Sequence, residues 1–382
     1  MPPSASDPLA TWDAIIAGAG PAGSVAAIDL ARAGARVLIL DRACFPREKA
    51  CGDALPPAAV DLLRELRVRP PLVFVERVTF VSPGGRAVSM PRESGIDGAL
   101  VRRSSLDHAL LRAAIGAGAV FRQSAVRGLL FGRGGEVLGV DTEHGHERAP
   151  VVIGADGATS IVARSLSRWR APERTRSIAL RGYVEVEGDD PELLLHFFAD
   201  AQPAYGWFFP CGGGIANVGV FLRRSAYTAR ERPLRALLAD YLDRPDLRAR
   251  LGAGSATQLA AWQLPLFDPT RPRVFSGALL TGDAGGFVNP FTGAGIYEAM
   301  ATGRAAASTV LDAAGRGDFG RRSLAGYDRT WRRTLGRAFS FGRLAQEGLT
   351  LAPQAMEWAF PAAGVLPPFT RALSHWLFST RS

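Results

Sequence analysis

The sequence predicts an α/β fold in three parts: a Rossmann-type unit on a parallel sheet, an antiparallel β-sheet domain, and a short helical C-terminal region. Three observations predict it. Residues 12–41 read strand, glycine turn, helix, strand. Residues 178–265 are dominated by short apolar strand patterns. A second strand running into a glycine-rich turn, then a long helix, follows at 278–313.

In order, the apolar run at 12–17, with Ile15-Ile16, has the composition of a strand buried on both faces. Apolar residues at helical spacing predict a helix over Ser24–Ala33, ended by Gly34, and Ala35–Leu40 predicts a second strand closing on Asp41. Val73–Ser82 and Ala87–Met90, joined by Pro83-Gly84-Gly85, predict a hairpin. A helix is expected over Leu106–Ala117 and a buried strand over Val151–Ala155. The runs at 181–187, 193–199, 205–210 and 216–222 are strand-like, with one helical insertion over Pro233–Leu242. Strand Ala278–Leu280 precedes the second glycine turn, and Ile296–Ala313 is helical. The last 65 residues are helical and aromatic, with Phe339, Phe341, Trp358, Phe360, Phe369, Trp376 and Phe378. The expected division is 10–72, 100–172 and 272–315 for the discontinuous nucleotide-binding domain, 73–99 and 173–271 for the sheet domain, and 316–382 for the helical region.

The 382 residues suffice for two or three domains, and 47% hydrophobic with 21% charged residues is ordinary globular composition. No apolar run reaches the length of a membrane span, and the N-terminus has no signal-peptide pattern. Cys44, Cys51 and Cys211 are sparse, odd in number and without metal-ligand spacing, which predicts no metal site and fits a reducing cytoplasm. The net charge of +9 is almost all arginine, with Lys49 the only lysine. Its scatter argues against nucleic acid as a partner. An anionic substrate, or peripheral contact with an anionic membrane surface, suits it better. Nothing in the sequence sets the oligomeric state.

Two glycine motifs carry the chemistry. In Gly18-Ala19-Gly20-Pro21-Ala22-Gly23, Gly18 permits a tight turn, Gly20 lets the backbone approach a pyrophosphate, and Gly23 lets helix and strand pack closely. The helix N-terminus then offers unpaired N–H groups to phosphate. Asp41, 18 residues past Gly23, is placed to take ribose hydroxyls. The second motif is Gly282-Asp283-Ala284-Gly285-Gly286, followed by Pro290-Phe291-Thr292-Gly293-Ala294-Gly295-Ile296. Asp283 is suited to ribityl hydroxyls, and Gly293 and Gly295 admit main-chain N–H groups to a flavin's pyrimidine edge. Together the motifs describe a bound flavin from both ends. Arg103, at the start of a helix with Asp107, is placed to reach back to the phosphates, and Asp156-Gly157 follows a strand.

These motifs, in this order, resemble the flavoprotein superfamily of para-hydroxybenzoate hydroxylase over about residues 10–315. Two further segments resemble the geranylgeranyl reductase family: Pro46-Arg47-Glu48-Lys49-Ala50-Cys51-Gly52-Asp53, similar to its K-x-C-G segment, and Tyr205-Gly206-Trp207-Phe208-Phe209-Pro210, similar to its Y-x-W-x-F-P cavity lining. Gln202-Pro203-Ala204-Tyr205 departs from the archaeal members, which place proline one residue earlier, and Asp41 stands where glutamate is usual. The resemblance implies a para-hydroxybenzoate hydroxylase-like FAD-binding domain. It implies FAD contacts from Ala22, Asp41, Arg42, Cys51, Gly52, Arg103, Val126, Asp156, Asp283, Gly295 and Ile296, and a substrate cavity lined by Tyr205, Trp207 and Phe209. It also implies reduction of carbon–carbon double bonds in isoprenoid or polyene substrates, N5 of the reduced flavin giving hydride to one alkene carbon while a proton reaches the other.

Cys51, Tyr205 and Lys49 are the catalytic candidates. Cys51 either donates a proton or packs on the flavin; Tyr205 and Trp207 either act chemically or line an apolar pocket. Three functions stay open at this point: an alkene reductase, a monooxygenase or halogenase tailoring a natural product, and a non-redox cyclase or lipid-binding flavoprotein. NADPH or NADH is the expected electron donor. Lys49 is the lysine a halogenase would need, but the W-x-W-x-I-P motif of halogenases has Tyr205 and Phe209 in place of its first tryptophan and its isoleucine. Aromatic residues near Arg371 and Arg381 would form either a membrane-facing rim or helix core and pocket cover.

Overall fold

The computed structural model describes residues 12–91, 98–188, 191–199, 204–230, 232–252, 254–352, 354 and 357. Gln202-Pro203 and the tail residues Trp358, Phe360, Phe369, Arg371, Trp376, Phe378 and Arg381 lie outside them.

Val37–Asp41, Ala14–Ala17, Val152–Gly154 and Ala278–Leu280 form the parallel centre of a six-stranded sheet, with Val120–Gln123 at one edge and the short antiparallel strand Val274–Phe275 at the other. Ile15, Ile16, Leu38 and Ile39 are fully buried, because this sheet is covered on both faces. Both glycine motifs start at the carboxyl ends of its strands, where ligands bind in open α/β sheets.

The fingerprint helix begins three residues earlier than expected, at Pro21, and runs to Arg32. Proline at the first helical position has its φ preset and loses no hydrogen bond there. Periodicity misses this because Pro-Ala-Gly carries no apolar signal. Gly18 has φ +103°, and a Cβ on it would lie 2.3 Å from the Ala155 carbonyl oxygen; one on Gly23 would lie 1.9 Å from Gly18 O. The long helix Ile296–Arg316 crosses this helix in backbone contact, since a Cβ at Gly303 would sit 2.1 Å from Ala22 O. The sequence reading missed that glycine.

A seven-stranded sheet forms the other half. Its order is Thr257–Pro265, Arg176–Glu185, Ile215–Arg223, Tyr205–Pro210, Glu192–Phe197, Arg77–Val81, Ala87–Pro91. All its pairings are antiparallel except Glu192–Phe197 with Arg77–Val81. Helix Leu234–Leu242 packs on its far face through Leu238 and Tyr241. The predicted hairpin is corrected in its first strand, which breaks into two. Val73–Phe74 pairs with Ala99–Leu100 in a small three-stranded sheet, and only Arg77–Val81 pairs with Ala87–Pro91. Helices Pro57–Leu66 and Gly326–Leu351 and the meander Val126–Phe131, Val137–Thr142, Gly145–Arg148 were not anticipated individually.

Phe339, in the helix Gly326–Leu351, is buried and stacks on Phe267 at 4.3 Å, as core. Phe341 is exposed. Glu357 closes the described chain onto the hairpin, accepting hydrogen bonds from Ser82 Oγ (2.9 Å) and Gly84 N–H (2.5 Å). No helix of the described residues is long and apolar enough to cross a membrane.

Candidate active site

A single cavity of about 1320 Å³ runs from the first glycine turn, past the second, and on beneath the seven-stranded sheet. Small-molecule pockets are commonly ~300–1,000 Å³, so the space exceeds what one ligand requires. One end is lined by Gly18, Gly20, Ala22, Asp41, Arg42 and Val126, the middle by Cys51, Gly52, Asp156, Asp283, Gly293, Gly295 and Ile296, and the far part by Tyr205, Trp207 and Phe209 with Leu193 and Leu195. All the expected site residues thus meet in one wall except Gly23, which packs behind the turn.

The fingerprint end has the shape of a phosphate cradle. Ser24 N–H is the first in its helix to find a helical acceptor, Gly20 O at 2.9 Å, so Ala22 and Gly23 N–H have none. A Cβ at Gly20 would meet only the Arg47 guanidinium, at 3.5 Å. Asp41 accepts from Ala19 N–H and Ala43 N–H, both 2.9 Å, which braces the turn and aims the carboxylate into the cavity end.

Two residues of the cavity lining are also engaged within the protein. Arg103 is buried and forms a two-pronged pair with Asp107 (2.8 and 2.9 Å), beside Cys51. Its place is the first residue of the helix Arg103–Gly116, not a residue ahead of it. Arg47, which also reaches Asp107 (3.0 Å), is the guanidinium at the phosphate turn; sequence reasoning quoted it without giving it a role. Asp156 spends both oxygens on the next helix, accepting from Ser160 Oγ (2.5 Å), Ile161 N–H (2.7 Å) and Val162 N–H (3.2 Å). The Ile161–Leu166 helix N-terminus claims it, so it shapes the turn rather than offering a free acid.

Asp283 behaves otherwise. It sits in the single helical turn Gly282–Gly285, half-buried, and among the described residues no hydrogen bond or ion pair uses its carboxylate. Gly293, at φ +69°, lies under Tyr205 and Phe221, where a Cβ would be 3.2 Å from each. The Tyr205 hydroxyl donates to Thr292 O at 2.5 Å and its ring stacks on Phe221 at 5.1 Å. Burial pushes its phenol well above the ordinary range. Tyr205 therefore ties the Thr292–Gly293 loop to the sheet.

Lys49 places Nζ 3.4 Å from the Trp262 ring centroid, a cation–π contact. Burial brings its ammonium down to about 8, with Asp283 opposing that fall. Burial raises the Cys51 thiol, against the pull of Arg103, so at neutral pH it is a protonated acid rather than a thiolate. One residue outside the expected set braces this wall. Asn217 donates through Nδ2 to Cys51 O and Asp53 Oδ2, both 2.8 Å, and accepts from Trp207 Nε1 at 2.9 Å. The one polar side chain in the apolar run 216–222 was the available signal.

Glu298 was also missed. It lies in the first turn of the helix Ile296–Arg316, 2% exposed, with Oε2 unpartnered. Burial, with Asp283 nearby, pushes its carboxyl up to about 7. A folded value above the unfolded 4.5 favours the native state fully below about 4.5, and that advantage is lost as pH rises to about 7. Glu298→Gln apoprotein is therefore expected to match wild type at acid pH and exceed it by on the order of 3 kcal/mol above neutrality. Thermal unfolding of both proteins across pH measures this; a pH-independent difference would refute it.

The FAD binding domain family matches residues 11–339. Menaquinone reductase of Mycobacterium tuberculosis (strain ATCC 25618 / H37Rv) is 35% identical over 320 residues, covering 78% of this chain and 76% of that one. Digeranylgeranylglycerophospholipid reductase 1 of Methanopyrus kandleri is 33% identical over 355 residues, covering 88% and 90%. Among solved structures, a geranylgeranyl bacteriochlorophyll reductase-like protein of Thermoplasma acidophilum superposes with a TM-score of 0.79 at 25% identity, covering 89% of this chain and 88% of that one. A flavin-dependent brominase superposes at 0.81 with 21% identity, covering 96% and 93%, a likeness of fold alone.

Proposed function

We propose a reaction from one premise: this chain belongs to the FAD-binding domain family and, within it, to the geranylgeranyl reductase family of FAD-dependent oxidoreductases. The reaction is saturation of isolated carbon–carbon double bonds in a hydrophobic isoprenoid or polyene chain, with NADPH or NADH as electron donor. The supporting observation is the cavity's continuation past the flavin loop into an apolar, aromatic channel under the seven-stranded sheet, walled by Leu193, Leu195, Tyr205, Trp207 and Phe209. A prenyl chain buries apolar surface along its length there.

Bound and reduced, FAD supplies hydride. The rest falls to the chain. Gly20, Ala22, Asp41 and Arg47 would hold the adenosine and pyrophosphate, and Asp283 the ribityl chain. Gly293, Gly295 and the N-terminus of the Ile296–Arg316 helix would hold the pyrimidine edge. Trp207 and Phe209 would position the alkene and exclude water, which an unactivated acceptor demands. Cys51, protonated and in the wall between flavin loop and channel, would give the proton to the alkene carbon that hydride does not reach. Proximity to a membrane would suit such a substrate.

Anaerobic incubation of the reduced protein with a geranylgeranyl lipid is expected to give products heavier by two hydrogens per saturated bond, read by mass spectrometry. A second reading, oxygenation or halogenation, is favoured by Lys49 in the cavity wall. Oxygenated or halogenated product appearing only in air, with no saturation without it, would select that reading and reject the reductase.

A further inference from the structure

Side chains paired across the strands of the seven-stranded sheet share one face, so its register orders the channel wall. One row runs Trp262, Ala179, Phe221, Tyr205. The next runs Ala260, Arg181, Gly219, Trp207, Leu195, Phe80. All of these except Gly219 line the cavity. The channel therefore crosses the strands, from the edge strand Thr257–Pro265 to the hairpin Arg77–Val81 and Ala87–Pro91 at the opposite edge. Six steps between seven strands, at ~4.8 Å each, span roughly 29 Å.

The two ends differ in charge. At the hairpin, Val78, Phe80 and Met90 are apolar, and Arg77 is tied to Glu192 at 3.1 Å. At the opposite end Lys49, the only lysine, lays its ammonium on Trp262, 3.4 Å from the ring centroid. Among the described residues no acceptor lies within hydrogen-bonding or ion-pairing reach of Nζ. Arg181, 4% exposed, donates to Gln258 O (3.0 Å) and Glu48 Oε2 (3.2 Å). Its Nε, and Nε1 of Trp262, are buried without an acceptor. The unpaired polar groups of this corner are thus all donors, and an ammonium in a cavity wall without a counter-charge is costly. The groups around Lys49 agree. Burial brings its ammonium down to about 8, Arg103 and Arg47 add to the fall, and Asp283 and an ionised Cys51 oppose it. Glu48 is taken up by Arg181.

We propose that Lys49, beside Arg181 and Trp262, seats the anionic head of an amphiphilic prenyl substrate, a phosphate or other anionic oxygen group. The chain then runs under Trp207 and Leu195 to the hairpin edge. This rests on the prenyl reading above and adds the substrate's charge and direction. Trp207 lies three strand steps from Trp262, about 14 Å. There the Cys51 loop closes on the channel, a Cβ on Gly52 falling 3.6 Å from Trp207. The bond that is saturated is accordingly set back from the head by about that length.

The test is ligand binding to the oxidised holoenzyme, without turnover. At pH 7, geranylgeranyl phosphate is expected to bind roughly 10- to 150-fold tighter than geranylgeraniol, the gain from one charged hydrogen bond. Lys49→Met, still yellow, should lose that preference and keep its affinity for geranylgeraniol. Met90→Trp, at the hairpin end, should weaken both ligands alike and keep the preference. Equal affinity of wild type for the two ligands, a preference that survives in Lys49→Met, or unchanged binding in Met90→Trp overturns the proposal. Inorganic phosphate binding as tightly as geranylgeranyl phosphate would make the corner a free-anion site and overturns it too. Should Lys49→Met purify without flavin, wild type carries the test. The lysine loses its charge as pH rises beyond about 8, so the preference must fade there, and a pH-independent preference overturns the proposal. A protein that shows the preference yet saturates no alkene counts against the reductase reading, not against the Lys49 subsite.

Discussion

Asp283→Ala is expected to purify colourless. The side chain ends a buried strand, in the turn Gly282–Gly285, and its carboxylate serves no hydrogen bond or ion pair among the described residues. A carboxylate without a protein partner at a cavity wall is available to a ligand, and we propose that the ribityl hydroxyls of FAD are that ligand. A hydrogen bond to a charged group contributes about 1.5–3 kcal/mol, so losing two weakens FAD by roughly 10²- to 10⁴-fold. The turn itself should survive, because Gly286 N–H bonds to the Asp283 backbone carbonyl (3.0 Å), not to its side chain. Apoprotein melting should therefore match wild type while flavin absorbance is lost and FAD titration gives the weakened Kd. A variant that purifies fully yellow rejects the assignment. Asp283→Asn, which keeps one acceptor oxygen, should fall between the two.

The division between what the sequence shows and what it hides follows from range. Gly18, Gly20, Gly23 and Asp283 are legible because their chemistry is local: a turn, a close approach or a strand end is written within six or seven residues. The strands are legible for the same reason, as Tyr205–Pro210 and Ala278–Leu280 fall where their composition puts them. Partner choice is not local. Arg103 and Arg47 both converge on Asp107, and only the fold shows that Arg103 is consumed there while Arg47 faces the Gly20 turn. Asp156 looks the same as Asp283 in sequence, each an acid after a buried strand; a helix starting five residues later engages the first, and no hydrogen bond or ion pair among the described residues engages the second. Tyr205 meets Thr292 across 87 residues and Asn217 meets Cys51 across 166, distances over which pattern carries no information.

Cys51→Ser should keep its yellow colour and lose alkene reduction by about 10²- to 10⁴-fold, the range a positioned general acid contributes. Serine is close in size, retains a hydroxyl for Asp53 N–H, and leaves the Cys51 backbone carbonyl bonded to Asn217, so the loop 49–53 has no reason to move. What changes is acidity. A thiol whose pKa burial has raised still gives up a proton far more readily than an alcohol, while Tyr205 is bound to Thr292 and Arg103 does not deprotonate. Lys49 is a competitor in the wall, its ammonium brought down to about 8. The pH profile separates the two. If Cys51 is the donor, wild-type activity persists through pH 8 and beyond, and Cys51→Ser removes it at every pH. If Lys49 is the donor, activity falls with a midpoint near 8, Lys49→Met abolishes it, and Cys51→Ser retains it. Product formed in D2O adds the positional check, since the solvent-derived deuteron must sit on the carbon adjacent to the one that received hydride. Wild-type rates in Cys51→Ser would return the thiol to a packing role.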